Sequence, residues 1–152
     1  NGAAYHACNL RNTDDCDYVL KVQPYNLLAK AELDAYIRLK STKLTPTLHA
    51  AWLCNKKMYL VLDRLLPCPT RPTRKAVLTI LQSLEKKGWV HVDTHPGNVM
   101  CTAAGKVVLI DFGWAVHASD APYPNHPACD VRNKSFAWLR EIQRRNVEAF
   151  FE

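Results

Sequence analysis

The chain has 152 residues, of which 48% are hydrophobic and 22% are charged, and these values are ordinary for a single globular domain with its own core. No run of the sequence approaches the roughly 20 apolar residues that cross a bilayer, so the composition does not predict a membrane protein. The net charge of +6 comes from 20 basic and 14 acidic residues. These basic residues are spread along the chain with few aromatic neighbours, so charge alone does not predict a nucleic-acid-binding module.

Six cysteines are scattered along the chain without a CxxC pair. Small secreted disulfide scaffolds are shorter and denser in cysteine, so we expect mostly buried, reduced thiols in an intracellular protein. No signal peptide is visible at the start of the sequence. His126 and Cys129 have a spacing that suits zinc, with His117 nearby, but no second pair completes a tetrahedral site.

The first third of the chain predicts a small β-rich lobe with one helix. A strand is predicted over residues 18–22 and an amphipathic helix over about 28–40. Two further strands, near 47–54 and 58–65, are joined by a hairpin turn at 55–57.

Two charged residues of this lobe form a candidate pair. Lys21 lies within an apolar run, where it can also be an ordinary edge-strand lysine, because strand faces alternate. Glu32 borders the apolar side of the predicted helix, and an acid in that position needs a partner. Lys21 is the natural one, although an ordinary exposed helix glutamate stays the alternative.

The rest of the chain predicts a linker and two helices around an irregular centre. Prolines punctuate residues 67–72, and a helix follows over about 73–87, ended by Gly88. Three prolines at 122–127 predict an extended loop. A last helix is predicted over about 131–150, with an apolar face that packs under the stretch described next.

The stretch from Gly88 to Ala115 carries the chemistry. Asp93 is followed five residues later by Asn98 across a proline-glycine turn, and Asp111 ends the strand-like run 106–110. Carboxylate and amide oxygens are the ligands that Mg²⁺ prefers. Asn98 and Asp111 could therefore converge on one divalent cation, which leaves Asp93 to accept a proton from a hydroxyl nucleophile.

Two motifs in this stretch resemble those of the protein-kinase-like superfamily. HVDTHPGN at 91–98 resembles the catalytic loop HxDxxxxN, and Asp111-Phe112-Gly113 resembles the DFG motif. Either motif alone would be weak, but the two in order, with strand patterns between them, are strong. The resemblance implies an α+β fold: one minimal kinase-like domain with a β-rich N-lobe (1–66), a hinge (67–72) and a truncated helical C-lobe (73–152).

The resemblance also implies ATP and Mg²⁺ (or Mn²⁺) as cofactors and gives each polar residue a role. VLKV at 19–22 resembles the VAIK strand, so Lys21 would hold the α- and β-phosphates, oriented by Glu32. The backbone that leaves the sheet would bind the adenine edge. The implied site is completed by Asp63 and Leu65 on the nucleotide, Asn98 and Asp111 on the metal, and Asp93 as the base.

The sequence departs from the family at several points. A GxGxxG loop is not found, and residues 2–7, with Gly2 alone, are at best a truncated substitute that offers phosphate fewer backbone amides. The string HxDxHPGN resembles atypical kinases and aminoglycoside- or choline-type phosphotransferases. His95 stands where protein kinases usually carry a lysine, so its imidazole could assist transfer or could only pack the turn before Pro96. We expect His91 to be structural, and the short tail to lack a peptide-docking lobe.

The sequence thus predicts an ATP- and Mg-dependent phosphotransferase, in the form of an atypical minimal protein Ser/Thr kinase. A pseudokinase scaffold, a small-molecule kinase and a basic nucleic-acid-binding module are the alternatives. The expected partners are ATP and a protein substrate, and a homodimer that completes the nucleotide site is left open. The compact form resembles kinase-like proteins of large DNA viruses, which would place it in the cytoplasm or nucleus of a host cell.

Overall fold

A computed structural model describes residues 2–151. These residues form eight strands and three α-helices. In order these are β1 (Ala3–Ala7), β2 (Tyr18–Pro24), α1 (Leu27–Arg38), β3 (Leu48–Cys54), β4 (Lys57–Asp63), α2 (Arg74–Lys86), β5 (Trp89–Val90), β6 (Val99–Cys101), β7 (Val107–Leu109), β8 (Val116–His117) and α3 (Phe136–Phe150). None of the described helices is both long and apolar enough to cross a bilayer.

The first four strands form one antiparallel sheet in the order β1-β2-β4-β3. Side chains alternate between its faces: Met58, Leu60 and Leu62 of β4 are buried on the inner face. The β3–β4 turn has a positive φ at both Asn55 (48°) and Lys56 (60°), which is the backbone of a tight hairpin turn matched to strand twist. The predicted hairpin is therefore present, with bounds shifted by one or two residues.

Helix α1 packs against the inner face of this sheet. The Asn26 side chain caps its first turn by accepting from the Ala29 amide, as short polar residues do at a helix start. Its buried side is made by Ala29, Glu32, Ala35 and Tyr36. A glutamate on the buried side of a helix is the feature on which the candidate site depends.

The second half of the chain packs α2 and α3 around two short two-stranded sheets, of which β6–β7 is a hairpin. Thr73 caps α2 and Ser135 caps α3. The two helices are joined by the Glu85 carboxylate, which accepts from Arg140 Nε at 3.1 Å and from Arg144 at 3.3 Å. The hairpin pairs β6 with β7, and the second sheet pairs β5 with β8. The β5–β8 pair brings together the two ends of the stretch from Gly88 to Ala115.

Helix α3 corrects one prediction. It begins at Phe136 rather than at 131, because residues 131–134 form turns and Ser135 supplies the cap. Its buried residues are Leu139, Gln143 and Val147, so a glutamine occupies the centre of the face that the sequence predicts to be apolar.

The cysteines correct a second prediction. Cys8 pairs with Cys16 and Cys68 pairs with Cys101 as disulfides. Among the described residues Cys54 and Cys129 are free, and both are exposed. The prediction of mostly buried, reduced thiols is wrong, because chain folding brings together cysteines that the sequence separates.

Core packing in α2 gives the first testable prediction. Leu84 has no exposed surface, and truncating a buried leucine removes its contacts and leaves a cavity. We expect Leu84→Ala to lower the free energy of unfolding by about 2–5 kcal/mol, measured by urea titration. Leu10→Ala is the matched control, since Leu10 is 97% exposed and its truncation should change stability by less than about 0.5 kcal/mol. Equal effects at the two positions would contradict this packing.

Candidate functional site

Two adjoining cavities lie between the N-terminal sheet and the stretch that carries Asp93, Asn98 and Asp111. The larger, of about 420 Å³, is lined by residues that include Lys21, Asp63, Leu65, Asn98 and Asp111. The smaller, of about 350 Å³, is lined by residues that include Lys21, Glu32, Asp93 and Asp111. Lys21 and Asp111 belong to both. The structure therefore brings seven of the eight predicted site residues to one cleft; the eighth, His95, lies beside Asp93 and lines neither cavity.

The Lys21–Glu32 pair forms the centre of the cleft. Lys21 Nζ lies 2.6 Å from Glu32 Oε1 and 3.8 Å from Asp111 Oδ1. The Glu32 side chain is 1% exposed, and its second oxygen accepts from Gln23 Nε2 at 2.9 Å. Because both carboxylate oxygens have a donor, the charge of Glu32 is compensated inside the protein. The ammonium group of Lys21 is thereby held at the cleft, facing Asp111.

The sequence did not single out Gln23, although a signal was present. Residues two apart on a strand lie on the same face, so Gln23 must share the face of Lys21. A glutamine there is placed to serve the same buried acid.

The catalytic loop is held by Asn98. Its side-chain Nδ2 donates to the backbone oxygen of Asp93 at 2.8 Å and to Asp93 Oδ2 at 3.1 Å. Asn98 is 5% exposed, and its amide oxygen has no hydrogen-bond partner among residues 2–151. The amide nitrogen thus fixes Asp93, and the amide oxygen is left for the cleft.

His95 packs within the same turn. Its Nδ1 accepts from the Gly97 amide at 3.1 Å, and its Nε2 lies 3.1 Å from Asn98 Nδ2 and 3.7 Å from Asp93 Oδ1. An imidazole whose Nδ1 accepts carries its proton on Nε2 when neutral. Because Asn98 Nδ2 is a donor as well, the neutral ring can accept from the Gly97 amide or from Asn98, but not from both. These contacts fit both a turn-packing role and a role beside the base.

Two residues of the site adopt unusual backbone conformations. Val92 has φ of 74° and Asp111 has φ of 60°. A positive φ is rare for residues other than glycine and is a true outlier for a β-branched one, with a cost of order 1–3 kcal/mol each. Such conformations persist only where the surroundings hold them.

Gln143 of α3 is the residue that holds Val92. Its buried Oε1 accepts from the His91 amide at 3.0 Å and from the Val92 amide at 3.2 Å, and Thr94 Oγ1 lies at 3.4 Å. One side-chain oxygen thus anchors the loop that carries Asp93. The sequence did carry a signal for this role of Gln143. Leu139, Gln143 and Val147 lie at four-residue intervals and so share the buried face of the helix, where a polar residue needs polar partners.

A cluster of three buried rings connects α1 to the 91–98 loop. The Phe112 ring lies 5.7 Å from the tilted Tyr36 ring and 4.7 Å, edge to face, from the His91 ring, between centroids. Burial, and next the neighbouring Glu32, raise the pKa of Tyr36 well above its usual value. This ring cluster keeps Phe112 in place, and with it the adjoining Asp111.

His91 is structural, as expected, and is held neutral. Burial is the largest effect on its pKa and lowers it, against smaller opposing effects of the Ile110 carbonyl and nearby acids. His91 Nε2 donates to the Ile110 carbonyl at 2.8 Å, and Nδ1 is buried without a partner. A proton on Nδ1 would therefore have no acceptor among the described residues.

At the end of the cleft near Asp63 and Leu65, the Asp63 side chain and the Leu65 backbone differ in what they leave free. The Asp63 carboxylate is bound by His49 Nε2 at 2.5 Å and by the Thr47 amide at 3.3 Å, so it is occupied outside the cleft. The backbone amide of Leu65 has no hydrogen-bond partner within residues 2–151. Just beyond it, Leu66 and Cys101 exchange two backbone hydrogen bonds of 3.0 and 2.8 Å, which tie the linker to β6.

Residues 2–7 do not form a phosphate-covering loop. Ala3–Ala7 is a strand paired with β2, so the interpretation of these residues as a truncated loop is wrong. A Cβ on Gly2 would lie 2.9 Å from the Val22 carbonyl oxygen, which explains the glycine by close approach of β1 to β2.

Comparison with known proteins identifies the fold. The family model of the ABC1 atypical kinase-like domain matches residues 70–122, which include both motifs. No curated protein matches the chain. The kinase PK-1 of the Cydia pomonella granulovirus superimposes with a TM-score of 0.55 at 18% identity, over 66% of this chain and 46% of that one.

A second solved structure is more similar in shape. A chain of the CAK complex of Chaetomium thermophilum bound to ATP-γ-S superimposes with a TM-score of 0.64 at 19% identity, over 80% of this chain and 45% of that one. The present chain thus spans less than half the length of either. These findings confirm the resemblance to the protein-kinase-like superfamily and the α+β fold class.

The anchoring role of Gln143 gives the second prediction. Gln143→Leu leaves two amides of the catalytic loop without an acceptor, and a buried unsatisfied donor costs about 1–3 kcal/mol. We expect a loss of stability of that size together with faster amide hydrogen exchange at His91 and Val92. Gln143→Glu retains an acceptor oxygen and serves as the matched variant, with slower exchange at both amides than in Gln143→Leu. Unchanged protection at His91 and Val92 in Gln143→Leu would contradict the anchoring role.

The neutral state of His91 gives the third prediction. Because its pKa is lowered in the folded protein, the unfolded chain binds a proton near pH 6.5 while the folded protein does not. Stability should therefore fall as the pH drops from about 7.5 through 6.5 toward the folded pKa. Urea titrations across this range should show a weaker pH dependence in His91→Asn than in the wild type.

His6→Asn is the control for that measurement, since His6 is exposed and its removal should leave the pH dependence unchanged. Identical pH dependence in the wild type and in His91→Asn would rule out the assignment.

Proposed function

We propose that this chain is an ATP- and Mg²⁺-dependent phosphotransferase that acts on a hydroxyl group, in the form of an atypical minimal protein Ser/Thr kinase. The carrying observation is the position of Lys21 Nζ, 2.6 Å from the buried Glu32 and 3.8 Å from Asp111 in one cleft. A cation fixed by a buried acid beside a half-exposed carboxylate suits a triphosphate and its metal. The fold adds support, since ATP-γ-S is bound in the CAK complex.

The residues present fit a magnesium ion. Asn98 commits its nitrogen to Asp93, which leaves its oxygen as a ligand, and Asp111 is 52% exposed in the same cleft. These are hard oxygen donors of the kind that Mg²⁺ binds together with substrate phosphates. When bound, the ion would neutralise charge on the transferring phosphoryl group.

In the proposed reaction the protein positions two reactants and moves one proton. The acceptor oxygen forms a bond to the γ-phosphorus while the bond from that phosphorus to the β–γ bridging oxygen breaks, and ADP departs. The hydroxyl proton goes to the Asp93 carboxylate, which Asn98 holds in place. Lys21 binds the α- and β-phosphates, and the backbone at Asp63 and Leu65 binds the adenine edge.

A small-molecule kinase is the second candidate. The HPGN string resembles small-molecule phosphotransferases, and the matched family is described as atypical kinase-like. The two candidates share every residue of the phosphoryl-transfer site and differ only in the acceptor. Labelling a generic basic protein and a panel of small alcohols in parallel assays separates them.

Transfer of ³²P from ATP in the presence of Mg²⁺ or Mn²⁺ is the fourth prediction and tests the proposal. We expect label on the acceptor with the wild type and a loss of at least about 100-fold with Lys21→Met, Asp93→Asn or Asp111→Asn, because these replacements remove the groups proposed to bind the nucleotide phosphates, the acceptor hydroxyl and the metal. Asp34→Asn is the matched control, since Asp34 is exposed on α1 away from the cleft and its replacement should leave the rate unchanged.

Binding and catalysis are read separately. An ATP-induced rise in melting temperature that Lys21→Met abolishes, without transfer of label, would replace the enzyme by a nucleotide-binding pseudokinase. Neither a thermal shift nor label would overturn nucleotide chemistry in this chain altogether.

A further inference from the structure

The outer face of the N-terminal sheet is apolar from one edge to the other. The face opposite to α1 carries Ala3 and Tyr5 of β1, Leu20 and Val22 of β2, Tyr59 and Val61 of β4, and Ala50 and Trp52 of β3. We call these eight residues the outer face. None of them is buried, whereas the alternate residues Met58, Leu60 and Leu62 are.

This composition departs from what a solvated sheet face requires. An antiparallel sheet with one wet face shows polar side chains there, in alternation with the apolar inner face. Here β2 and β4 are apolar on both faces, apart from Lys21 and Gln23 of the inner one. Charged side chains occur only at the ends of the outer face, where Lys57 pairs with Pro24 and Asp63 pairs with Tyr18. Such a sheet has the composition of one that is covered on both sides.

We propose that the outer face binds the outer face of a second copy of this chain, so that two sheets pack against each other in a homodimer. Charge favours this occupant. The chain carries a net charge of +6, yet the eight residues are neutral, so two copies can meet there without placing like charges opposite one another.

The area of the face agrees with a reversible dimer. With strands about 4.8 Å apart and a rise of about 3.3 Å per residue, four strands of about six residues cover roughly 400 Å² in projection. When the area added by protruding side chains is included, the two copies together bury on the order of 800–1,000 Å². This buried area is at the low end for specific protein–protein interfaces. We expect dissociation in the micromolar range.

The shape of the outer face also favours one orientation of the two copies. Trp52 and Tyr59 stack with parallel rings 5.2 Å apart and form a ridge at the β3 edge, where Trp52 stays 45% exposed. The β1 edge is low, because Ala3 and Ala7 flank Tyr5. A two-fold axis parallel to the strands places the ridge of each copy over the low edge of the other, which is the self-complementary contact that a symmetric dimer needs. It brings Tyr5 beside the partner's ridge, within reach of aromatic contacts.

Sedimentation equilibrium of the whole chain, from about 1 µM to about 300 µM, is the fifth prediction and tests this arrangement. We expect a concentration-dependent dimer whose dissociation constant rises at least about 100-fold with Trp52→Glu or Tyr5→Lys, because each places an unpaired charge in the interface. The double variant Tyr5→Lys/Trp52→Glu should recover dimerisation to within about 10-fold of the wild type, since the proposed axis sets each new lysine against a new glutamate.

Leu53→Glu is the matched control. Leu53 lies on the same strand with a similar exposure of 56% but pairs with the inward Met58, so its replacement should leave dimerisation unchanged. Ala50→Glu charges the outer face at an exposed alanine and provides a second disrupting variant if Trp52→Glu does not fold. Neither readout depends on phosphotransfer.

Three outcomes would overturn the proposal. A chain that is monomeric at every concentration would assign the outer face to a different occupant, such as another protein. Equal effects of Trp52→Glu and Leu53→Glu would place the contact elsewhere. A double variant that stays as weak as the single ones would exclude the pairing of the β1 edge with the β3 edge.

Discussion

The structure depends first on the burial of the Glu32 carboxylate between α1 and the sheet. A buried charge costs several kcal/mol unless it is paired and hydrogen-bonded, and both oxygens of Glu32 receive a donor from β2, namely Lys21 and Gln23. These two contacts fix the position of α1 along β2. The same contacts hold Lys21 at the cleft. Stability of the N-terminal half and geometry of the candidate site therefore rest on one arrangement, and removing either donor would affect both.

The other half of the site depends on the C-terminal helices. Val92 and Asp111 both have a positive φ, and this cost must be offset by contacts that persist only in the folded protein. Gln143 supplies them for Val92, and the ring cluster of Tyr36, Phe112 and His91 supplies them for Asp111 through Phe112. Since Tyr36 belongs to α1, the two halves of the cleft meet through packed aromatic rings as well as through the Lys21–Asp111 approach.

Which features could be predicted from the sequence depends on how far apart along the chain the interacting residues lie. The bounds of α1 and α2 were predictable because caps and periodicity are local, and Lys21 could be matched to Glu32 because an acid on a buried helix side has few possible partners. Gln143 was missed because its partners are backbone amides about 50 positions away in the chain. The pairing of Cys68 with Cys101, 33 positions apart, was missed for the same reason. Cys8 and Cys16 are only eight positions apart, but spacing alone does not show that the chain folds back to join them. The late start of α3 was missed because turns at 131–134 compete with a helical pattern.

The alternation of β2 connects the candidate site to the opposite side of the sheet. Lys21 and Gln23 face α1, while Leu20 and Val22 between them belong to the outer face, so a shift of register by one residue would exchange the two sets. The hydrogen bonds that the buried Glu32 carboxylate requires exclude that shift on the inner face. A partner sheet on the outer face would exclude it from the outside, because Lys21 and Gln23 would then enter an apolar interface. Association of two copies would accordingly stiffen the strand that carries Lys21, although Lys21 itself faces away from the interface.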